Sequence, residues 1–149
     1  MYIDFDYESI ENMEVLLDSR QCCFAMEPNE QFEYFQKPVM FNNALMVTVP
    51  GHDFFRCIID NIFTDYTLCF FDRNKNFTVL KTTGPLRLIY IYIYMGYSYK
   101  EQLYLIPSEY VTPFNGNQIR SIMAGRANKE LEDRLQQAYC VHSFLRESK

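Results

Sequence analysis

Tyr2-Ile-Asp-Phe-Asp-Tyr-Glu8 is the stretch on which the reading of this chain turns. An apolar lead runs into two acids, Asp4 and Asp6, with one aromatic residue between them. Residues 2–6 read as a short strand, and side chains at i and i+2 of a strand point the same way. On that reading Asp4 and Asp6 face one pocket, with Phe5 packed behind them. Two carboxylates so placed form a compact hard-oxygen site for a divalent cation. A cation held there can neutralise a departing diphosphate. The bland alternative is a strand end carrying two solvated acids.

A third reading is a haloacid-dehalogenase-type phosphatase, with Asp4 as nucleophile and Asp6 as acid/base. That motif continues with Thr or Val, whereas Tyr7 follows here, and no Asp-Asp pair occurs later in the chain. The phosphatase therefore ranks below the metal site.

The 149 residues are enough for one domain with a real core. Nearly half are hydrophobic, with 13 Phe, 12 Tyr and no Trp, a globular composition. A formal charge of −5 argues against nucleic acid, whose binding rests on clustered Lys and Arg. The five cysteines are odd in number and form no Cys-x-x-Cys, so neither a disulfide framework nor a zinc site is indicated. Free thiols in a reducing compartment fit better. The first residues lack the basic and apolar regions of a signal peptide. The stretch Leu86 to Met95 is too short and too rich in tyrosine to span a bilayer.

Further along, Ile10, Met13, Leu16 and Leu17 have helical spacing, with Ser9 as candidate cap. Cys22 to Met26 reads as a buried strand broken by Pro28, and residues 28–38 as a polar loop with aromatics. Ala44 to Val49 reads as a strand closed by Pro50-Gly51. Phe54, Phe55, Ile58, Ile59, Ile62 and Phe63 mark an amphipathic helix with Asp53 in its first turn. His52, after Pro-Gly, reads as structural. Residues 64–81 are ambiguous, with a turn signal at Asp72-Arg73-Asn74. Leu86 to Tyr94 alternates in the manner of a strand, but Pro85 after Gly84 suits a helix start, and the helix is favoured. Leu103 to Ile106 reads as a strand, Tyr110 to Phe114 as extended, Lys129 to Gln137 as a helix, and Tyr139 to Val141 as a last short strand.

Six segments, taken in order, carry a resemblance. They are Tyr2-Ile-Asp-Phe-Asp-Tyr-Glu8, Phe24-Ala-Met-Glu27, Phe41-Asn-Asn-Ala-Leu45, Pro50-Gly-His-Asp-Phe-Phe55, Thr82-Thr-Gly-Pro85 and Tyr139-Cys-Val-His142. In order and spacing the set resembles the Asp-x-Asp sugar transferases of glycosyltransferase family 32. These include α-1,6-mannosyltransferases and capsular-polysaccharide transferases. The resemblance implies an α/β fold: the C-terminal portion of a GT-A-type nucleotide-diphospho-sugar transferase, a mixed sheet with flanking helices. Residues 1–149 are then a single, partial GT-A domain beginning at the Asp-x-Asp strand. The family carries Gly-Gly-x-Tyr directly before its Asp-x-Asp, and Met1 stands where x would be, so the expectation is a chain lacking the N-terminal nucleotide-binding elements.

The resemblance implies roles. Asp6 ligates Mn²⁺ or Mg²⁺, and Asp4 contacts the metal and the donor ribose. His142 completes a carboxylate–imidazole set that suits Mn²⁺ over Ca²⁺. Thr83 and Gly84 let a loop approach the UDP- or GDP-sugar donor. Asn42 and Asn43 offer hydrogen bonds to sugar hydroxyls, and turn chemistry is their bland alternative. Glu27 and Asn43 are the catalytic candidates, with Glu27 set near the anomeric carbon. Lys81 or Arg87 could reach a phosphate, but a solvated surface charge is the favoured reading for either. One departure is the family's late His-His-Trp…Ser-Trp pattern, replaced here by His142-Ser-Phe144 with no tryptophan.

The expected function is metal-dependent hexose transfer from a nucleoside-diphosphate sugar to a glycan acceptor, in capsular or surface polysaccharide synthesis. The alternative is a non-catalytic truncated remnant acting through self-association or partner binding. The expected location is the cytoplasm, with peripheral association at the inner membrane face as an option.

Overall fold

The computed structural model describes residues 1–62, 75–95 and 97–143. Phe63, Cys69, the turn signal at Asp72-Arg73-Asn74 and Phe144 lie outside them.

In chain order the elements begin with β1 (Tyr2–Ile3), β2 (Tyr7–Ser9), α1 (Glu14–Leu17) and β3 (Cys22–Met26). Next come α2 (Asn29–Phe35), β4 (Phe41–Thr48) and α3 (Asp53–Ile62). They are followed by α4 (Lys75–Thr82), α5 (Pro85–Tyr94), a 3-10 helix (Tyr97–Gln102) and β5 (Leu103–Ile106). The last are α6 (Ser108–Val111), α7 (Gly116–Met123), α8 (Lys129–Gln137) and β6 (Cys140–His142). The result is a mixed α/β structure. Its four-stranded sheet has the order β1-β4-β3-β5, antiparallel except for the parallel β3–β5 pair. A separate two-stranded ribbon joins β2 to β6. No helix among the described residues is long and apolar enough to cross a membrane.

β3 is central, and its run Cys22-Cys23-Phe24-Ala25 is buried throughout. Alternate residues serve opposite faces, as the two-residue period of a strand requires. Cys22 and Phe24 join Phe41, Phe54, Leu88, Ile89 and Ile91 in one cluster. Cys23 and Ala25 join Leu45, Ile106, Val111 and Cys140 in another. A sheet covered on both faces gives a continuous apolar run in place of alternation. Phe24 lies 5.2 Å from Phe41 and 5.8 Å from Phe54, ring centre to ring centre.

Several local expectations need correction. The Asp-x-Asp does not lie on a strand. β1 ends at Ile3, and Asp4 to Asp6 form a turn into β2. Phe5 is fully exposed and packs behind nothing. Ser9 is a strand residue rather than a cap, and the helix expected from it is one turn, Glu14–Leu17. The Glu14 N–H is taken by the Asn12 side chain at 2.9 Å. Residues 29–35 are helical rather than loop, because Phe32 and Phe35 turn onto the Phe24 cluster. Ser108–Val111 is a helical turn, so only the residues from Thr112 on are extended. Ile59 of the α3 stripe faces solvent.

The expected strands at Cys22–Met26 and Leu103–Ile106 are present, as are the helices at α3, α5 and α8. Helix wins over strand in Pro85–Tyr94 because Pro85 sits in the first turn after Gly84 and Leu88, Ile89 and Ile91 all reach the core.

Candidate metal centre

Strand pairing brings the two ends of the described chain together. β2 and β6 are antiparallel, with Tyr7 opposite His142 and Ser9 opposite Cys140. The Ser143 N–H donates to the Asp6 carbonyl at 2.7 Å, carrying the ladder up to the acidic turn. On the other side, the Asp4 N–H donates to the Ala44 carbonyl at 2.8 Å and the Tyr7 N–H to the Asp4 carbonyl at 3.2 Å. The turn is thus fastened to both sheets, with Asp4 tied to β4 and Asp6 to the strand holding His142.

Asp4, Asp6 and His142 each offer one ligand atom, all within 4.8 Å of one another. His142 Nε2 stands 3.2 Å from Asp6 Oδ1. The imidazole stacks on the Tyr7 ring, centres 4.6 Å apart and planes 6° from parallel. The Tyr2 hydroxyl donates to Asp4 Oδ1 at 2.6 Å and orients that carboxylate. Burial pushes the His142 pKa below its ordinary value, against the opposing pull of Asp6 and Asp4. A neutral imidazole is the form that binds metal. Ligand atoms on opposite sides of a Mg²⁺-sized ion span about 4.2 Å, so only a small closure around a cation is required. The donor set fits Mn²⁺ or Mg²⁺.

Beside the triad lies a buried polar group. In the β3–β4 pair Phe24 is opposite Met46 but Met26 is opposite Phe41, so β4 bulges between these points. Asn42 holds the bulge: its Oδ1 accepts from the N–H groups of Ala44 (3.1 Å) and Leu45 (3.3 Å). Its Nδ2 donates to Glu27 Oε1 at 2.9 Å. Glu27 Oε2 and the Tyr7 hydroxyl are buried without a hydrogen-bond partner. Burial raises the Glu27 pKa, only partly offset by the Asn42 amide. Burial also raises the Tyr7 phenol, partly offset by the nearby Asn42 amide, with Cys140, Glu27 and Asp4 adding to the rise. A carboxyl held toward its neutral form can donate a hydrogen bond or a proton.

The predicted residues thus divide. Asp4, Asp6 and His142 are brought together, and His142 is buried rather than a surface group. Glu27 is linked to Asn42, not to Asn43, which is half-buried on β4. Thr83 and Gly84 lie at the α4–α5 junction. Gly84 has a packing role there, since a Cβ would fall 2.8 Å from the Leu80 Cα. His52 is structural as read: its Nδ1 accepts the Phe54 N–H at the start of α3, at 3.2 Å. Arg87 is buried, not a solvated surface charge. The contribution of Tyr7 was not read from the sequence. Its signal is the register that sets it opposite His142.

No protein family, curated protein or solved structure matches this chain.

Proposed function

We propose that this chain carries the metal and donor-diphosphate site of a GT-A-type hexosyltransferase. It would move a hexose from a UDP- or GDP-sugar to a glycan acceptor, in capsular or surface polysaccharide synthesis at the cytoplasmic membrane face. The observation that carries the reading is the convergence of Asp4, Asp6 and His142 from opposite ends of the chain. A bound Mn²⁺ or Mg²⁺ supplies charge neutralisation for the diphosphate leaving group. Asp4 and Asp6 hold the cation in the turn, and Tyr7 and the β2–β6 pairing hold the His142 ring. Glu27, its pKa raised by burial and its Oε1 anchored by Asn42, offers its unpartnered Oε2 to a sugar hydroxyl. The test is transfer of labelled hexose from a panel of nucleotide sugars in the presence of Mn²⁺. Asp6→Ala should abolish it, and unchanged transfer by that variant sinks the reading.

A second reading, a non-catalytic chain acting by self-association, draws on the exposed run Met1, Tyr2, Ile3 and Phe5 at edge strand β1. Sedimentation velocity separates the two. A concentration-dependent dimer abolished by Ile3→Lys, with no transfer activity, favours self-association.

A further inference from the structure

A second polar cavity lies at the edge of the sheet away from the metal centre. In the strand order β1-β4-β3-β5 the acidic turn follows β1, and this cavity is built at β5. Three strand spacings of about 4.8 Å set those edges about 14 Å apart. The cavity, of about 300 Å³, opens where β3 and β5 begin side by side, with Cys22 next to Leu103. Arg20 and Gln21, on the approach to β3, form one wall. Glu101 and Gln102 of the 3-10 helix and Tyr104 of β5 form the other.

Ser19 sets the first wall. Its φ of 58° lies in the left-handed region, and it turns the chain from α1 toward β3. The Arg20 guanidinium carbon then rests 4.2 Å from the Tyr104 ring centre. That cation–π contact holds the guanidinium at the cavity without using its N–H donors. Glu101 lines the same cavity, yet among the described residues no ion pair joins Arg20 to it or to any other carboxylate. The side-chain amides of Gln21 and Gln102 make no hydrogen bond to any described residue. One cation and one anion thus stand apart around a single cavity, with two open amides beside them.

We propose that this cavity binds a free α-amino acid with a polar side chain. Its carboxylate pairs with the planar fork of Arg20, and its ammonium with Glu101. Gln21 and Gln102, each both donor and acceptor, meet its polar side chain. The charges of the lining cancel, which suits a zwitterion and not a lone anion. A cavity at the small end of the ligand-binding range takes one amino acid, not an extended peptide. Arg20 and Glu101 are both solvent-facing, so each pairing is screened and the affinity is modest.

An NMR titration of the isotope-labelled full chain tests the proposal. The probes are L-glutamine, N-acetyl-L-glutamine, L-glutaminamide and D-glucose. Resonances of residues 19–21 and 101–104 should shift with L-glutamine, with a dissociation constant on the order of 1 mM. The acetylated probe lacks the ammonium, the amide lacks the carboxylate and glucose lacks both, so each should bind at least about fivefold more weakly. Arg20→Gln should bring L-glutamine down to the affinity of L-glutaminamide and leave L-glutaminamide unchanged. Glu101→Gln should bring L-glutamine down to the affinity of N-acetyl-L-glutamine. Unmoved resonances elsewhere in the spectrum check that both variants fold. No shift up to about 10 mM L-glutamine overturns the proposal. So does equal affinity for either single-charge probe, or an undiminished response in both variants. Tighter binding of D-glucose also overturns it, by making the cavity a sugar subsite.

Discussion

His142 Nε2 lies 3.2 Å from Asp6 Oδ1, a contact between residues 136 positions apart. It depends on the antiparallel pairing of β2 with β6, so the candidate metal site and the closure of the chain are one structural event. A cation bound there should stabilise the fold by linkage. Mn²⁺ at about 100 times its Kd should add about 2.7 kcal/mol to unfolding free energy, with Ca²⁺ adding less and a chelator reversing the gain. Thermal melts with each ion check this, and a Tm indifferent to Mn²⁺ contradicts it.

Glu27 should cost stability as the pH rises. Its pKa is raised in the folded state by burial, so the folded chain holds the proton more tightly than the unfolded one. Folding is therefore most favoured below the unfolded value of 4.5 and weakens as pH climbs from there through the raised folded pKa. Glu27→Gln keeps an acceptor for the Asn42 amide and removes the charge. Its Tm should exceed wild type by about 2–4 °C at neutral pH, with the gap closing in acid and transfer activity falling. A lower Tm at neutral pH would count against a carboxylate buried at a cost.

Asn42 and Asn43 are adjacent but should behave differently. Asn42→Ala strips partners from two backbone N–H groups of the β4 bulge and from Glu27 Oε1. A loss of roughly 2–4 kcal/mol follows, since each buried orphan costs about 1–3 kcal/mol and relaxation returns part of it. Asn43→Ala should cost under about 1 kcal/mol. Urea unfolding of both variants decides, and equal losses would show that the bulge does not depend on Asn42.

Gly84→Ala tests the α4–α5 junction. The added methyl meets the Leu80 backbone at 2.8 Å, and backbone cannot rotate away as a side chain can. Destabilisation of about 1–3 kcal/mol is expected. A neutral substitution would mean that the helices separate freely, and the packing role given to Gly84 would fail.

The parts of the fold carried by local signals were legible. Cys22 to Ala25 could be read as a buried strand from its apolar run, and Gly84-Pro85 resolved α5 against its strand-like alternation. What escaped depends on distant partners. Tyr7–Ser9 is a strand only because Cys140–His142 lies alongside, so local periodicity saw a helix cap at Ser9. Asn29–Phe35 is helical because Phe32 and Phe35 have a core to meet, which its polar composition conceals. Asp4, Asp6 and His142 were named together from a resemblance, and Asp4 and Asp6 meet through a turn rather than through strand alternation. Arg87 was misread because a charge at the start of a helix gives no sign that the Asn61 carbonyl of α3 lies beside it.

The most direct test of the central claim is equilibrium binding of UDP and GDP to the purified chain, with and without Mn²⁺, in wild type and Asp6→Ala. The account predicts that one of the two nucleotides binds wild type only when Mn²⁺ is present, and that Asp6→Ala abolishes this binding. Nucleotide binding that ignores Mn²⁺, or that survives Asp6→Ala unchanged, would contradict the assignment of Asp4, Asp6 and His142 as a diphosphate-directed metal site.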